Sequence, residues 1–433
     1  MSTWTNWAKT VVCHPARVCA PHDAEEAAAV LAAARRDGLR VRPVGAGHSF
    51  SPIAATDGVH VRLDQMIGPV RTEVDPQSGR ASATVAAGTP LRVFNSELAR
   101  LGLGLANMGD IDVQTVSGAV ATGTHGSGRK SASLSALVVG LEIVLPDGSL
   151  VRCSADAEPD LFQAARLGLG VLGIVTSLTF GVERAFLLHA MEAPGRLTEV
   201  LDRFDEYTRE EHVDLFWLPF TDAVLIKRNR RTTEAARPLS PTAAWWADAA
   251  ENAGVAAFQR ITRAAPRSTP FANAIAARLI STRDYVDSPP AVFTSVRRVR
   301  WCEMEYALPQ RVAVAALEEF KRLTMRGPWR IAFPVQIRLA PADDVWLSPA
   351  FGRDTVYVAV HAYPRTDYQR WFAAAEELFV SYGGRPHWGK LHTRGVDDLR
   401  PSYPQMAAFG AVRNRVDPDR LMSNDHLRHV LGD

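Results

Sequence analysis

What the 433-residue chain lacks narrows its function before any motif is read. It has no excess of charge: 49 basic residues stand against 47 acidic ones, a formal net charge of +2. That leaves no electrostatic footprint for a nucleic-acid partner. It has no long hydrophobic run. The longest aliphatic stretch, 27–34, is too short to cross a bilayer, so no membrane partner is expected. The first ten residues lack the basic and apolar regions of a secretory signal, and the expected location is the cytoplasm. Cysteine is scarce: Cys13, Cys19, Cys153 and Cys302 show no ligand spacing, so no metal site is expected. Cys13 and Cys19 are close enough for a disulfide, but a chain without an export signal has little use for one. What remains is an ordinary soluble composition, 47% apolar and 22% charged. The length suits two domains.

The first 180 residues mix short strands with Gly-rich loops. Asp23–Gly38 reads as a helix, with Asp23 as N-cap, Glu26 completing a capping box and Gly38 as stop. A strand at 39–43 leads into Val44–Phe50, V-G-A-G-H-S-F. Gly45 and Gly47 remove two β-carbons, so bare N–H groups can turn toward an anion. His48 sits in that turn, where a structural loop has little need of an imidazole. Strands follow at 59–63 and 81–86. A helix runs from Thr89-Pro90 to about Leu101, with proline at its first position. The stretch 105–128 is dense in Gly, Ser and Thr but carries spaced apolar residues, as backbone wrapped around a flat ligand would. A hairpin at 137–153 and a helix at 158–166 precede Gly168–Phe180, a Gly-rich loop entering a buried strand. A dinucleotide fingerprint needs strand, glycines, helix. Here the order is helix, glycines, strand, which rejects that mode of NAD binding.

After about Val182 the pattern becomes α+β on an antiparallel sheet. Helices are expected at 197–210, 243–279 and 309–325. Strands are expected at 213–218, 223–227, 297–307, 329–339 and 356–361.

Three segments in order, V-G-A-G-H-S-F, G-A-V-A-T-G-T-H-G-S-G and G-V-L-G-I-V, resemble the FAD-binding domain of the vanillyl-alcohol-oxidase type of flavoprotein. The segments A-D-D-V-W-L-S-P (342–349) and R-P-H-W-G-K (385–390) resemble its sugar-lactone and alditol oxidase branch, of the gulono- and arabinono-lactone oxidase or dehydrogenase type. The resemblance implies a two-domain α+β flavoprotein. A PCMH-type FAD-binding domain would span 12–182 and a substrate or cap domain 183–390. The segment 391–433 would return to the first domain.

The resemblance also implies roles for residues. His48 matches the position at which relatives attach FAD through the flavin 8α-methyl; the alternative is a loop histidine that only hydrogen-bonds. Gly45, Ala46, Gly47 and Ser49 would offer N–H groups to the pyrophosphate. Gly118, Thr122, Gly123 and His125 match the second FAD segment. Gly173, Ile174 and Val175 match the segment that meets the adenine side. Gly109 and Asp110 fall where the chain passes the flavin. A small residue at 109 favours oxygen access, and Asp110 would either touch substrate or cap a helix starting near Val113. Lys390 would stand beside the flavin and substrate, with His387 orienting substrate or packing. Gln336 and Arg338 share one strand face, where relatives carry a Glu-x-Arg pair. Glutamine in place of glutamate removes a charge and a proton acceptor. It leaves the base and the substrate open.

The implied reaction is oxidation of a hydroxyl on a sugar-derived substrate by hydride transfer to flavin N5. The substrate would be an aldono-1,4-lactone such as L-gulono-1,4-lactone, with oxygen or another acceptor reoxidising the flavin. An alditol, another polyol or a nucleoside is the alternative substrate, and a flavoprotein fold kept as a scaffold without turnover is the alternative of a different class.

Overall fold

In the computed structural model of the chain, the described residues are 2–130 and 133–433. A ribbon of Trp4–Thr5 (β1) and Val12–Cys13 (β2) opens the chain. Arg17–Cys19 (β3), Val41–Val44 (β4) and Val59–Arg62 (β5) form a parallel sheet in the order β3-β5-β4. Parallel strands need a crossover, supplied here by the helix Ala24–Arg36. The Asp23 carboxylate accepts the Glu26 N–H at 2.9 Å, and Ala27, Leu31 and Ala34 are fully buried. Small residues on that face let the helix lie close to the sheet.

The second sheet contains Arg71–Val74 (β6), Ala81–Ala86 (β7), Leu103–Gly104 (β8), Val138–Val144 (β9), Leu150–Ser154 (β10) and Ile174–Arg184 (β11). Its order is β10-β9-β11-β7-β6, with β8 also on β11. The third sheet is antiparallel throughout. Its strands are Leu187–Arg196 (β12), His212–Trp217 (β13), Ala223–Thr232 (β14), Arg283–Asp287 (β15), Cys302–Pro309 (β16), Val335–Ala340 (β17), Thr355–Ala362 (β18) and Arg385–Pro386 (β19). They lie in the order β15-β12-β14-β13-β17-β18-β16-β19.

The two faces of this third sheet differ in kind. Val213, Leu215, Trp217, Met304, Tyr306, Val335, Ile337, Val358 and Val360 join one apolar cluster with Phe320, Trp371 and Phe379 of the helices Ala313–Arg326 and Gln369–Ser381. Alternation along each strand sends the intervening residues to the opposite face. Those residues are Asp214, Glu303, Glu305, Gln336, Arg338, Tyr357 and His361. A sheet with one oiled face and one charged face is the platform of the site.

Several expected elements are revised. The long helix at 243–279 is three helices, Pro241–Ala249, Val255–Ala264 and Thr269–Arg278, separated by a π-helical turn and by Pro266, which has no N–H to give. The helix at 197–210 breaks after Asp202. The strands expected from 297 and 329 begin only at Cys302 and Val335. Neither β12 nor β15 was expected. Pro90 caps its helix in extended geometry (ψ 144°), so the first helical residue is Leu91. Cys13 and Cys19 are free thiols. Among the described residues no helix is long and apolar enough to cross a membrane.

The last forty residues pack against the first sheets. Val41 N–H donates to Leu421 O at 2.8 Å, and the Asn424 amide donates to the carbonyls of Pro52, Ile53 and Ala55.

Candidate functional site

A narrow trough of about 110 Å³ runs between the Gly-rich loops of the first two sheets. A chamber of about 450 Å³ lies over the charged face of the third sheet. His48, Ser49, Gln114 and Thr122 line both. The two spaces therefore meet at the V-G-A-G-H-S-F loop.

The loop is shaped by exclusion. A β-carbon on Gly45 would lie 2.2 Å from Thr115 Oγ1, and Gly47 holds φ +69° with its face against Trp4. Thr115 in turn caps the helix Val116–Ala121, its hydroxyl accepting the Gly118 N–H at 3.2 Å. The N–H groups of Ala46, Gly47, His48 and Ser49 take no acceptor among the described residues. Unpaired amides converging on a glycine cradle suit a pyrophosphate. Gly173 closes the far end with φ +150°, where a β-carbon would lie 2.2 Å from Val144 O. An extended dinucleotide with a flat ring system fits this donor set: amides along the trough, then a wide chamber.

Among the residues singled out from sequence, Gly45, Ala46, Gly47, Gly118, Gly173 and Val175 line the trough. Gly109, Asp110, His125, Gln336, Arg338, His387 and Lys390 line the chamber, and His48, Ser49 and Thr122 line both. Gly123 and Ile174 line neither. Ile174 is fully buried in the core beside Val144, and Gly123 is pressed against Leu167. Asp110 does not cap the next helix, which starts at Val116 under Thr115; its carboxylate turns to Arg338 instead.

Two distant segments are clasped to each other. Phe50 N–H donates to Gly389 O at 2.7 Å, and Ser51 Oγ donates to Trp388 O at 2.9 Å. The Trp388 indole donates to Leu347 O at 2.6 Å, so the A-D-D-V-W-L-S-P segment buttresses the turn from behind. The turn is pinned to β16 through His387 N–H to Glu305 O (3.0 Å) and Leu391 N–H to Glu303 O (2.9 Å). This geometry delivers Lys390 Nζ to within 2.6 Å of Glu303 Oε1 and 5.2 Å of the Phe50 ring. Burial disfavours the ammonium, but Glu303 and Glu305 outweigh it, so the Lys390 pKa is raised and the side chain stays charged.

Arg338 is held by register. It sits opposite Asp214 across β13 and β17, and its Nε donates to Asp214 Oδ1 at 2.6 Å. Its Nη2 donates to Asp110. The Gln336 amide is assigned by the same partner: with oxygen toward the guanidinium it accepts from Nε and Nη2 at 3.0 and 2.6 Å. Burial opposes charge on both members, yet the pairing wins. The Asp110 pKa lies well below the carboxylate range, chiefly through Arg338 and then Arg297, and that of Arg338 is raised.

Three histidines answer to burial. Desolvation, then Lys390, lowers the His48 pKa to about 4, and its ring stacks on Trp7 at 5.3 Å. Burial lowers His387 to about 3; its Nδ1 accepts the Gly389 N–H at 3.1 Å. His361 is lowered by burial, partly offset by Glu303 across the ladder. His361 Nδ1 faces Pro334 O at 3.0 Å and therefore carries the hydrogen, which leaves Nε2 as an acceptor. His125 stacks on Tyr357 at 3.6 Å and meets Glu305 at 3.3 Å. His125, Glu305 and His387 bring three ligand-type atoms within 4.8 Å of one another. His387 Nδ1 accepts the Gly389 N–H, so the hydrogen of its neutral ring sits on Nε2, which then has no lone pair for a metal, and the trio reads as a hydrogen-bonded cluster.

Sequence reasoning missed Trp7, Asp214, Glu303, Glu305 and His361. A signal existed for four of them. A charged or imidazole side chain recurring at alternate positions of an otherwise apolar strand, as in C-E-M-E-Y, marks a sheet face turned to a site. Trp7 carried none, since its role depends on where the ribbon lands.

Residues 178–430 match the family model described as D-arabinono-1,4-lactone oxidase, and residues 15–154 match that of an FAD binding domain. The chain is 38% identical over 431 residues to an L-gulono-1,4-lactone dehydrogenase of Mycobacterium tuberculosis, covering 99% of both. It is 32% identical to the L-gulonolactone oxidase of Bos taurus, over 98% of this chain and 97% of that one. It is 33% identical to an alditol oxidase of a Streptomyces species, over 99% and 98%. Cholesterol oxidase from B. sterolicum superposes with a TM-score of 0.82 at 18% identity, over 99% of this chain and 96% of that one, which shows a shared fold.

Proposed function

The chain belongs to the D-arabinono-1,4-lactone oxidase family, with an FAD-binding domain at its N-terminal end, and we propose that it oxidises a hydroxyl of an aldono-1,4-lactone such as L-gulono-1,4-lactone. The observation that carries this reading is the chamber over the third sheet, where Arg338 and Lys390 converge on a space that opens onto the FAD trough at His48. FAD, when bound, supplies the hydride acceptor.

The residues divide the remaining work. Ala46, Gly47, His48 and Ser49 offer amides to the pyrophosphate. His48, kept neutral by burial, has a free imidazole lone pair for a covalent bond to the flavin. Arg338 and Gln336 grip substrate oxygens. Lys390 holds a fixed positive charge beside them, an electrostatic arrangement that needs no reorganisation as charge develops. Gln336 takes no proton, and Glu303 is a poor base because Lys390 holds its pKa down despite its burial. The hydroxyl proton goes to His361 Nε2. Oxygen or another acceptor reoxidises the enzyme.

Anaerobic mixing with L-gulono-1,4-lactone is expected to bleach the flavin's visible absorbance; bleaching by alditols alone would move the assignment to the alditol reading, which Gln336 keeps open. Acid precipitation tests the tether: flavin should stay with the wild-type pellet and pass to the supernatant for His48→Ala.

A further inference from the structure

The helices between β14 and β15 are turned inside out. Their buried side chains are polar: Asn252, Gln259, Thr262, Thr269 and Asn273. Their exposed ones include Trp245, Trp246, Ile261, Phe271 and Leu279, at 61%, 67%, 60%, 71% and 76% exposure. A helix on a water-facing surface does the reverse. So much aromatic and aliphatic surface on one segment needs a covering partner.

The charge on the same segment selects that partner. From 241 to 279 the chain carries four arginines, at 260, 263, 267 and 278, and two acids, Asp248 and Glu251, both before the first of them. Arg283 is paired with Glu192, and Asp248 on the preceding helix is taken by Arg298. Arg260, Arg267 and Arg278 meet no carboxylate among the described residues, and Arg263 lies 6.0 Å over the Tyr363 ring. A protein interface gathers its apolar residues at a centre and its charges at a rim. Here they alternate along the chain, Ile261 between Arg260 and Arg263, Leu279 beside Arg278. Interfacial tryptophans with interspersed arginines are the pattern of a helix lying in a head-group layer.

We propose that residues 241–279 dock the enzyme peripherally on an anionic phospholipid surface. Trp245, Trp246, Phe271 and Leu279 enter the interface, and Arg260, Arg267 and Arg278 meet lipid phosphates. The expectation of no membrane partner rested on the lack of a bilayer-crossing run, which docking does not need. The same segment, with the residue that follows it, contributes Asn252, Val255, Ala276 and Ile280 to the chamber wall, so docking holds that wall against the lipid. The proposal does not depend on which alcohol is oxidised.

The test is flotation of the flavin-loaded enzyme with vesicles of phosphatidylcholine containing phosphatidylglycerol, and with phosphatidylcholine alone. Binding is expected to the anionic vesicles only, and to reverse in high salt. The triple variant Arg260→Gln/Arg267→Gln/Arg278→Gln should lower the partition coefficient about a hundredfold. The variant Trp245→Ser/Trp246→Ser/Phe271→Ser/Leu279→Ser should release the protein. None of these side chains lines the chamber, so turnover of a soluble substrate stays unchanged and reports folding. If the serine variant loses turnover, the glutamine variant decides alone. Absence of binding at low salt, or binding insensitive to the arginines, overturns the proposal. So does a dimer in solution that Phe271→Ser/Leu279→Ser dissociates, which would give this face to a second copy of the chain.

Discussion

Arg338 carries more carboxylate than one guanidinium needs. Asp214 reaches it from the same sheet and Asp110 from a loop of the FAD-binding region. The family resemblance implies a glutamate two residues before this arginine; here Gln336 supplies an amide oxygen instead. The carboxylates on Arg338 therefore come from 110 and 214, with none from 336. Asp110→Ser should therefore lower kcat/KM by about a hundredfold, the scale of losing one charge-positioning contact. Gln336→Glu alone crowds a third carboxylate around Arg338 and should also lower it. In the Asp110→Ser background the same change should restore activity. Steady-state kinetics on the four proteins, with lactone as substrate, check the sign reversal. His361 makes a second residue-scale prediction. Its pKa is depressed by burial, so the neutral base persists below the usual imidazole range. The acid limb of kcat/KM should fall at a pH below the ordinary histidine value, and His361→Asn should abolish that limb along with most of the rate.

At the scale of elements, the site depends on close approach of backbone to backbone. The turn containing Gly45 touches the cap of the helix Val116–Ala121, and no β-carbon fits between them. Gly45→Ala must push Thr115 off its cap or move the loop. It should weaken FAD retention more than tenfold, consistent with about 2 kcal/mol for overpacking plus a lost cap. Adding Thr115→Ala should recover part of the retention, because it removes the clashing hydroxyl. Flavin content after gel filtration measures both. The strands of the third sheet act differently. They bring chemistry to the chamber through period-two alternation alone: each carries apolar residues to the helices behind and polar ones to the front.

At the scale of the molecule, one buried cation ties the chain's two ends together. The Arg42 guanidinium donates to the carbonyls of Ile53, Leu169, Gly170 and Met422, which lie up to 380 positions from it in sequence. Arg42→Met leaves the carbonyls of Leu169, Gly170 and Met422 without their donor, while Ile53 O keeps the Asn424 amide. It should cost about 3–5 kcal/mol, as breaking a buried charged network does. Thermal unfolding of the flavin-loaded protein should show a clear drop in Tm. Arg42→Lys should recover only part of it, since one ammonium cannot span all four carbonyls.

The sequence by itself determined the local grammar: the Asp23 cap, the Gly45 and Gly47 turn around His48, the reversed order that excluded a dinucleotide fingerprint, and the alternation that set Gln336 and Arg338 on one face. These are contacts among near neighbours, so spacing reports them. It also carried the family resemblance, because the FAD loops and the H-W-G-K turn are short contiguous segments. Tertiary structure decided what each functional group faces. Asp110 met Arg338 across 228 positions and so left the helix that it was offered as a cap. Lys390 met Glu303 only because the turn before it is pinned to β16. Trp7 came to stack on His48 because Gly47 O accepts its N–H at 2.8 Å. Such pairings depend on strand register and on which sheet edge a loop reaches. Those are set by the packing of the whole chain, and no local spacing records them.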